Sequence, residues 1–194
     1  MPGFQQHLAI ASQYIKKNPD KFKSDADILD FNTGSIMVDI LKGRGENSHY
    51  GDRTESVGIL QFNRDKINIR AFLETKPEMT PYNRGYLLHL YTDYEFYNSL
   101  LSDYFETSGV TDFEQYRDDL TYTYGVIHPH LLSNYAIDLN MTHVKDLATI
   151  VNDLENTNSK TGTLQYTNDQ HDKFIDHISS VNLDDLVNKM LKSN

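Results

Sequence analysis

The chain of 194 residues contains no cysteine, which excludes disulfides and every thiolate metal site. Any metal would have to be held through nitrogen and oxygen. Long apolar runs are also missing, and nothing approaches the roughly 18 residues of a membrane-spanning helix. No stable membrane insertion is therefore expected. The opening Met1-Pro2-Gly3-Phe4-Gln5-Gln6-His7 lacks a basic stretch followed by an apolar one. No signal peptide is visible there, which predicts a soluble, cytoplasmic protein. Positive charge is scarce: 18 Lys and Arg against 28 Asp and Glu leave a net charge of −10. That balance argues against nucleic acid or an anionic membrane surface as the main partner. It leaves room for a small phosphorylated ligand, because a bound cation reverses the field locally.

What the chain does carry is aromatic bulk on a helical period. Thirteen Tyr and nine Phe supplement a hydrophobic content of only 38%. Tyrosine suits a core that also holds polar groups. Phe4, Leu8, Ile10, Ala11, Tyr14 and Ile15 trace one face of a helix over 4–17, ended by Asn18-Pro19. A short apolar segment covers 33–41, and Lys42 to Ser48 reads as a loop. Further helices are expected over about 58–75, 82–106, 112–123, 129–137, 143–155 and 168–191. Pro81, Thr111 or Asp112, and Thr142 serve as start signals. Asn156 to Thr163 is small and polar and reads as mobile. Alternation of period two is hard to find, and there is no repeat and no second composition regime. The length suits one domain. The reading is a single all-α domain over 1–194 with seven or eight helices.

Chemistry concentrates in the first half. Gly85-Tyr86-Leu87-Leu88-His89-Leu90-Tyr91-Thr92-Asp93 sets a histidine and a carboxylate four apart inside an apolar helical run. At that spacing both side chains leave the same helix face one turn apart. A metal ion can satisfy both, as can a structural His-Asp hydrogen bond. Asp39 sits in the equally apolar Ser35-Ile36-Met37-Val38-Asp39-Ile40-Leu41, where a buried carboxylate needs a partner or is a capping residue. His7 falls among inward-facing residues of the first helix. His49 follows the glycine-rich loop, a position at which a histidine is more often merely exposed.

Taken in order, His7, Asp39, His49 and His89-x-x-x-Asp93 resemble the zinc-dependent phospholipase C family, specifically its short bacterial hydrolase-like members. The likeness rests on Met1-Pro2-Gly3-Phe4-x-x-His7, on Gly34-Ser35-Ile36-x-x-Asp39-Ile40 followed by Ser48-His49-Tyr50, and on Gly85 to Tyr94. It covers about residues 1–100. The resemblance implies an all-α bundle of the phospholipase C and P1 nuclease type, acting as a metallohydrolase on phosphoesters. Its substrate would be a small phosphorylated compound or a phospholipid headgroup. By the same likeness, Asp39, His49, His89 and Asp93 would hold one zinc, and His7 with a bridging Asp93 would help hold a second. Such a shell suits Zn²⁺ and also Fe or Mn. Paired ions about 3.5–4 Å apart polarise a phosphoryl oxygen and lower the pKa of bound water to about 7. Asp39 or Asp93 would act as general base.

The chain departs from the family pattern after Asp93. Tyr97 stands where a histidine is expected, and no His-x-x-x-Glu follows. One or two metals are therefore expected rather than three, with His128 and His130 as possible replacement ligands. Two other readings compete. His171-Asp172 suggests an HD-type phosphohydrolase, against a surface histidine beside an aspartate that complements the dipole near a helix N-terminus. The chain also reads as a non-catalytic helical binding module with a structural or degenerate metal site, its tyrosines suited to an interface. His143 and Asp146 read as solvated surface.

Overall fold

The computed structural model describes residues 2–43, 45–51, 58–155 and 161–192. It is a multi-helix bundle with no β-strand among the described residues; Tyr50 and Ile67 form one isolated antiparallel bridge. The helices are α1 (Phe4–Lys17), α2 (Asp25–Gly43), α3 (Ile59–Asp65), α4 (Ile69–Thr75), α5 (Pro81–Glu95), α6 (Ser102–Ser108), α7 (Phe113–Asn134), α8 (Leu147–Glu155), α9 (Asn168–Ser179) and α10 (Leu183–Lys192). No helix among the described residues is long and apolar enough to cross a membrane. Of the polar segment over 156–163, residues 156–160 lie outside the described residues.

Local chemistry sets most boundaries. Thr80 accepts from the Asn83 amide, and Pro81 occupies the first turn of α5, where its missing N–H costs nothing. Asp112 caps α7 through the Gln115 amide, and Thr167 with Gln170 forms a reciprocal capping box on α9. At the end of α1, the Asn18 amide closes on the Tyr14 and Ile15 carbonyls, and Pro19 opens a 3₁₀ turn over Pro19–Lys21.

Six sequence expectations need correction. The helix expected over 58–75 is two, because Ile67 and Asn68 leave the helix to pair with Tyr50 and His49 and Asn68 then caps α4. The helix expected over 82–106 widens into a π-helical turn over Phe96–Leu100 and restarts as α6. Segments 112–123 and 129–137 are one helix that runs through Pro129, with buried Ile127 and Leu131 packed on either side of the proline. Thr142 does not open the following helix; Asp146 adopts φ +58°, and α8 starts only at Leu147. The last segment breaks at Ser180 to Asn182 into α9 and α10. The short apolar segment at 33–41 is the second half of the 19-residue α2.

The core is built on α1, α2 and α5. Ala9, Ile10, Ala11, Phe31, Val38, Leu87 and Leu90 are all fully buried. α2 and α5 cross in close contact through two glycines. A Cβ on Gly34 would overlap the Tyr82 carbonyl, and one on Gly85 would overlap the Phe31 carbonyl. The two backbones thus touch with no side chain between them. Gly34→Ala and Gly85→Ala should each remove about 1–3 kcal/mol of stability, as overpacking does in a closed core. Denaturant unfolding monitored by circular dichroism checks this; an unchanged midpoint in both variants would contradict the contact.

Candidate metal centre

Three helices and one loop bring His7, Asp39, His49, His89 and Asp93 to one point. Gly85, His89 and Asp93 lie at intervals of four on α5, so the glycine that admits α2 is on the same stripe as both donors. The His89 Nδ1–H donates to the Ser35 carbonyl of α2 at 2.7 Å. That bond fixes the tautomer and leaves the Nε2 lone pair facing the cluster. From α1, the His7 ring stacks on His89 with centroids 3.7 Å apart and planes 13° off parallel. Its Nε2 is 3.4 Å from Asp93 Oδ1.

His49 arrives on a loop held at several points. The Tyr86 hydroxyl donates to the Ser48 carbonyl at 2.5 Å, and the Asn68 amide donates to the His49 carbonyl at 2.9 Å. The Gly51 amide donates to the Lys66 carbonyl, and a Cβ there would overlap Asp65 and Lys66 backbone. So fixed, His49 places Nε2 at 2.9 Å from Asp93 Oδ2 and 3.8 Å from Asp39 Oδ1. Its Nδ1 lies 3.2 Å from the Ser48 hydroxyl. That hydroxyl donates or accepts, so it supports either tautomer of His49. A loop histidine is thus buried, contrary to the usual expectation, because backbone bonds on both sides hold it in.

Asp93 is completely buried and accepts contacts from three histidines. Burial alone would raise its carboxyl pKa, but His89, His49 and His7 outweigh burial and hold it well below the usual carboxylate range. His89 shows the converse: burial pulls its pKa down, while Asp93, Asp39 and the Ser35 carbonyl together raise it. Burial and the neighbouring His89 push His7 down to about 4, so it is neutral at physiological pH. Asp93 and His7 therefore stand side by side as an ionised carboxylate and a neutral imidazole, the states in which they can ligate a metal, whereas His89 is biased towards its protonated form and would release that proton on ligation.

The donor set fits a metal ion. His7 Nε2, Asp39 Oδ1, His89 Nε2 and Asp93 Oδ1 are buried and make no hydrogen bond. Four unsatisfied polar atoms in one place are costly unless something binds them. His49, His89 and Asp93 each offer an atom within 4.8 Å of the others, as do His7, Asp39 and His89. The separations 2.9, 3.5 and 3.8 Å bracket the ligand–ligand edge of about 3.4 Å in a tetrahedral site with bonds of about 2.1 Å.

The remaining histidines are elsewhere. His130 donates to Asp172 at 2.9 Å, and Tyr135 donates to the same carboxylate at 2.7 Å, tying α7 to α9. That engagement removes His130 as a replacement ligand, and His128 belongs to no three-donor group among the described residues. His171 is fully buried rather than on the surface, because it faces Tyr166 on the inner side of α9. With Asp172 already bonded to His130 and Tyr135, no HD-type site forms among the described residues. His143 pairs with Asp30 at 2.9 Å on the surface, while Asp146 serves the backbone turn before α8.

Burial pushes His128 down to about 4 and His171 down to about 3. Both lie below the unfolded value of about 6.5, so the unfolded chain takes up protons first on acidification. Stability is then level above about pH 6.5 and falls below it, by about 1.4 kcal/mol per pH unit for each such group, until the folded pKa is reached. His171→Leu should flatten this acid limb in urea unfolding at pH 4–7; an unchanged slope would contradict it.

No known family model matches the chain, and no curated protein and no solved structure shows significant similarity to it.

Proposed function

We propose that the protein is a metal-dependent hydrolase of phosphoesters, related to the zinc-dependent phospholipase C family that its first hundred residues resemble. One observation carries this reading: five nitrogen and oxygen donors from three helices and a loop converge in the interior, four of them with an unsatisfied atom facing the others. Asp39, His49, His89 and Asp93 Oδ2 would hold one Zn²⁺ or a similar ion. His89 has a single free lone pair, so it serves only one ion. His7 and Asp93 Oδ1 are left as two protein donors for a second, which would be held more weakly. A bound ion would draw charge from a phosphoryl oxygen and make water acidic enough to react near neutral pH.

The chain's own residues divide the remaining work. The carboxylate of Asp93 is out of reach of solvent and turned to three histidines, so its part is holding. Asp39 is 13% exposed and lines a cavity of about 430 Å³ with Phe4, Tyr97, Tyr116 and Tyr124. Of the two carboxylates it is the one placed to take a proton from attacking water. The cavity is large enough for a small ester, and its aromatic side chains share the wall with Lys42 and Asn63.

Metal analysis of the purified protein tests the reading. About one equivalent of tightly held zinc, lost in His89→Ala and Asp93→Ala, is expected. Hydrolysis of p-nitrophenyl phosphate or its diester should fall about 100-fold or more in both variants. A folded protein that takes up no zinc when offered it would remove the hydrolase reading and leave a helical binding module.

A further inference from the structure

Two cavities touch the metal cluster, each at a different ligand. One, of about 430 Å³, is lined by Asp39, and the other, of about 370 Å³, by His49. Among the described residues, Lys42 is the one side chain that lines both. It is exposed and follows Asp39 by three positions on α2, so the two side chains leave the same helix face. That place in the last turn of α2 also complements the helix carbonyls, a role in which a bound anion has no part. Lys66 lines the second cavity too, and its ammonium lies 3.4 Å from the centre of the Phe62 ring on that wall. The Gly51 amide, which bonds the Lys66 carbonyl, ties Lys66 to the loop that carries His49. Glu46 is the carboxylate of this second cavity.

Charge decides what these lysines can do. Asp39 and Asp93 together offset the charge of one Zn²⁺, so a loaded centre with neutral histidines has no net charge to draw an anion. The chain as a whole carries −10 and repels one. Attraction for a phosphoryl group then has to come from neighbouring cations. Lys42 and Lys66, set against Glu46 alone, leave the second cavity positive. We propose that Lys42, assisted by Lys66, binds the non-bridging oxygens of a phosphomonoester at the metal centre. The proposal rests on the phosphoester reading above and adds the substrate class to it. An ammonium offers three donors and no acceptor, which suits a phosphoryl group with three free oxygens. A doubly charged monoester also gains more from each ammonium than the singly charged diester of a phospholipid does.

Calorimetric titration of the zinc-loaded protein with inorganic phosphate tests this. Lys42→Gln should keep the zinc content of the parent and weaken phosphate binding about tenfold or more. Lys66→Gln should weaken it by less, and Lys42→Arg, which keeps the charge, should retain most of the affinity. Lys76→Gln removes the same charge from a residue that lines neither cavity, and should leave the affinity within about twofold. In Lys42→Gln, hydrolysis of p-nitrophenyl phosphate should slow about tenfold or more, against about threefold for bis(p-nitrophenyl) phosphate. Unchanged phosphate affinity in Lys42→Gln, even with a lowered melting temperature, overturns the proposal and leaves Lys42 a helix-end residue. Equal weakening by Lys42→Gln and Lys76→Gln overturns it too, as does equal slowing of the two esters. A zinc-loaded parent that binds no phosphate overturns the proposal alone. One that binds phosphate through Lys42 but hydrolyses neither ester overturns only the reaction. A parent that takes no zinc overturns both.

Discussion

The direct backbone contact of α2 with α5 at Gly34 and Gly85 is the constraint from which the site follows. Helices separated by ordinary side chains keep their axes 8–10 Å apart. Here two glycines let the chains touch, and the neighbouring positions inherit that closeness. The Ser35 carbonyl comes within hydrogen-bond range of His89, and Asp39 comes within reach of His49 and His89. Residues bulkier than glycine at either point would push the donor atoms beyond the span of one ion. The two glycines therefore act on function at a distance, through the spacing of other side chains.

Electrostatically, the centre is a compromise held by burial on all sides. A solvent-free carboxylate is costly by itself, and so is a solvent-free imidazolium. Asp93 and His89 lower each other's cost, while His7 and His49 complete the ring of nitrogens around the acid. The arrangement is preorganised: the Ser35 carbonyl orients His89, and its helices are fixed by the core. Little would have to move for a cation to enter the cluster.

The sequence was most legible where periodicity and chemistry coincide. His89 and Asp93 could be assigned to one helical face from spacing alone, and Asp39 stood out as a carboxylate in an apolar run. His7 and His49 could not be placed that way. One is an ordinary helical residue and the other an ordinary loop residue until the resemblance orders them, and their burial depends on contacts far along the chain. Pro129 misled because the packing of Ile127 and Leu131 outweighs its local preference. His171 misled for a related reason: its neighbour Asp172 points outward, and nothing local shows that Tyr166 folds back over the ring. The π turn after Glu95 has no sequence signal that periodicity could detect.

The donors are spread unevenly along the chain, and that has a kinetic meaning. His89 and Asp93 are one turn apart and meet as soon as α5 forms, on the timescale of helix formation. His7 lies near the start of the chain and reaches Asp93 only after everything between them has been closed into a loop, an entropic step that slows folding. A cation present while the chain is still folding meets a two-donor site first and the full set last. Tight retention is therefore the final event in forming the native state, and a metal captured early can still be exchanged until α1 docks.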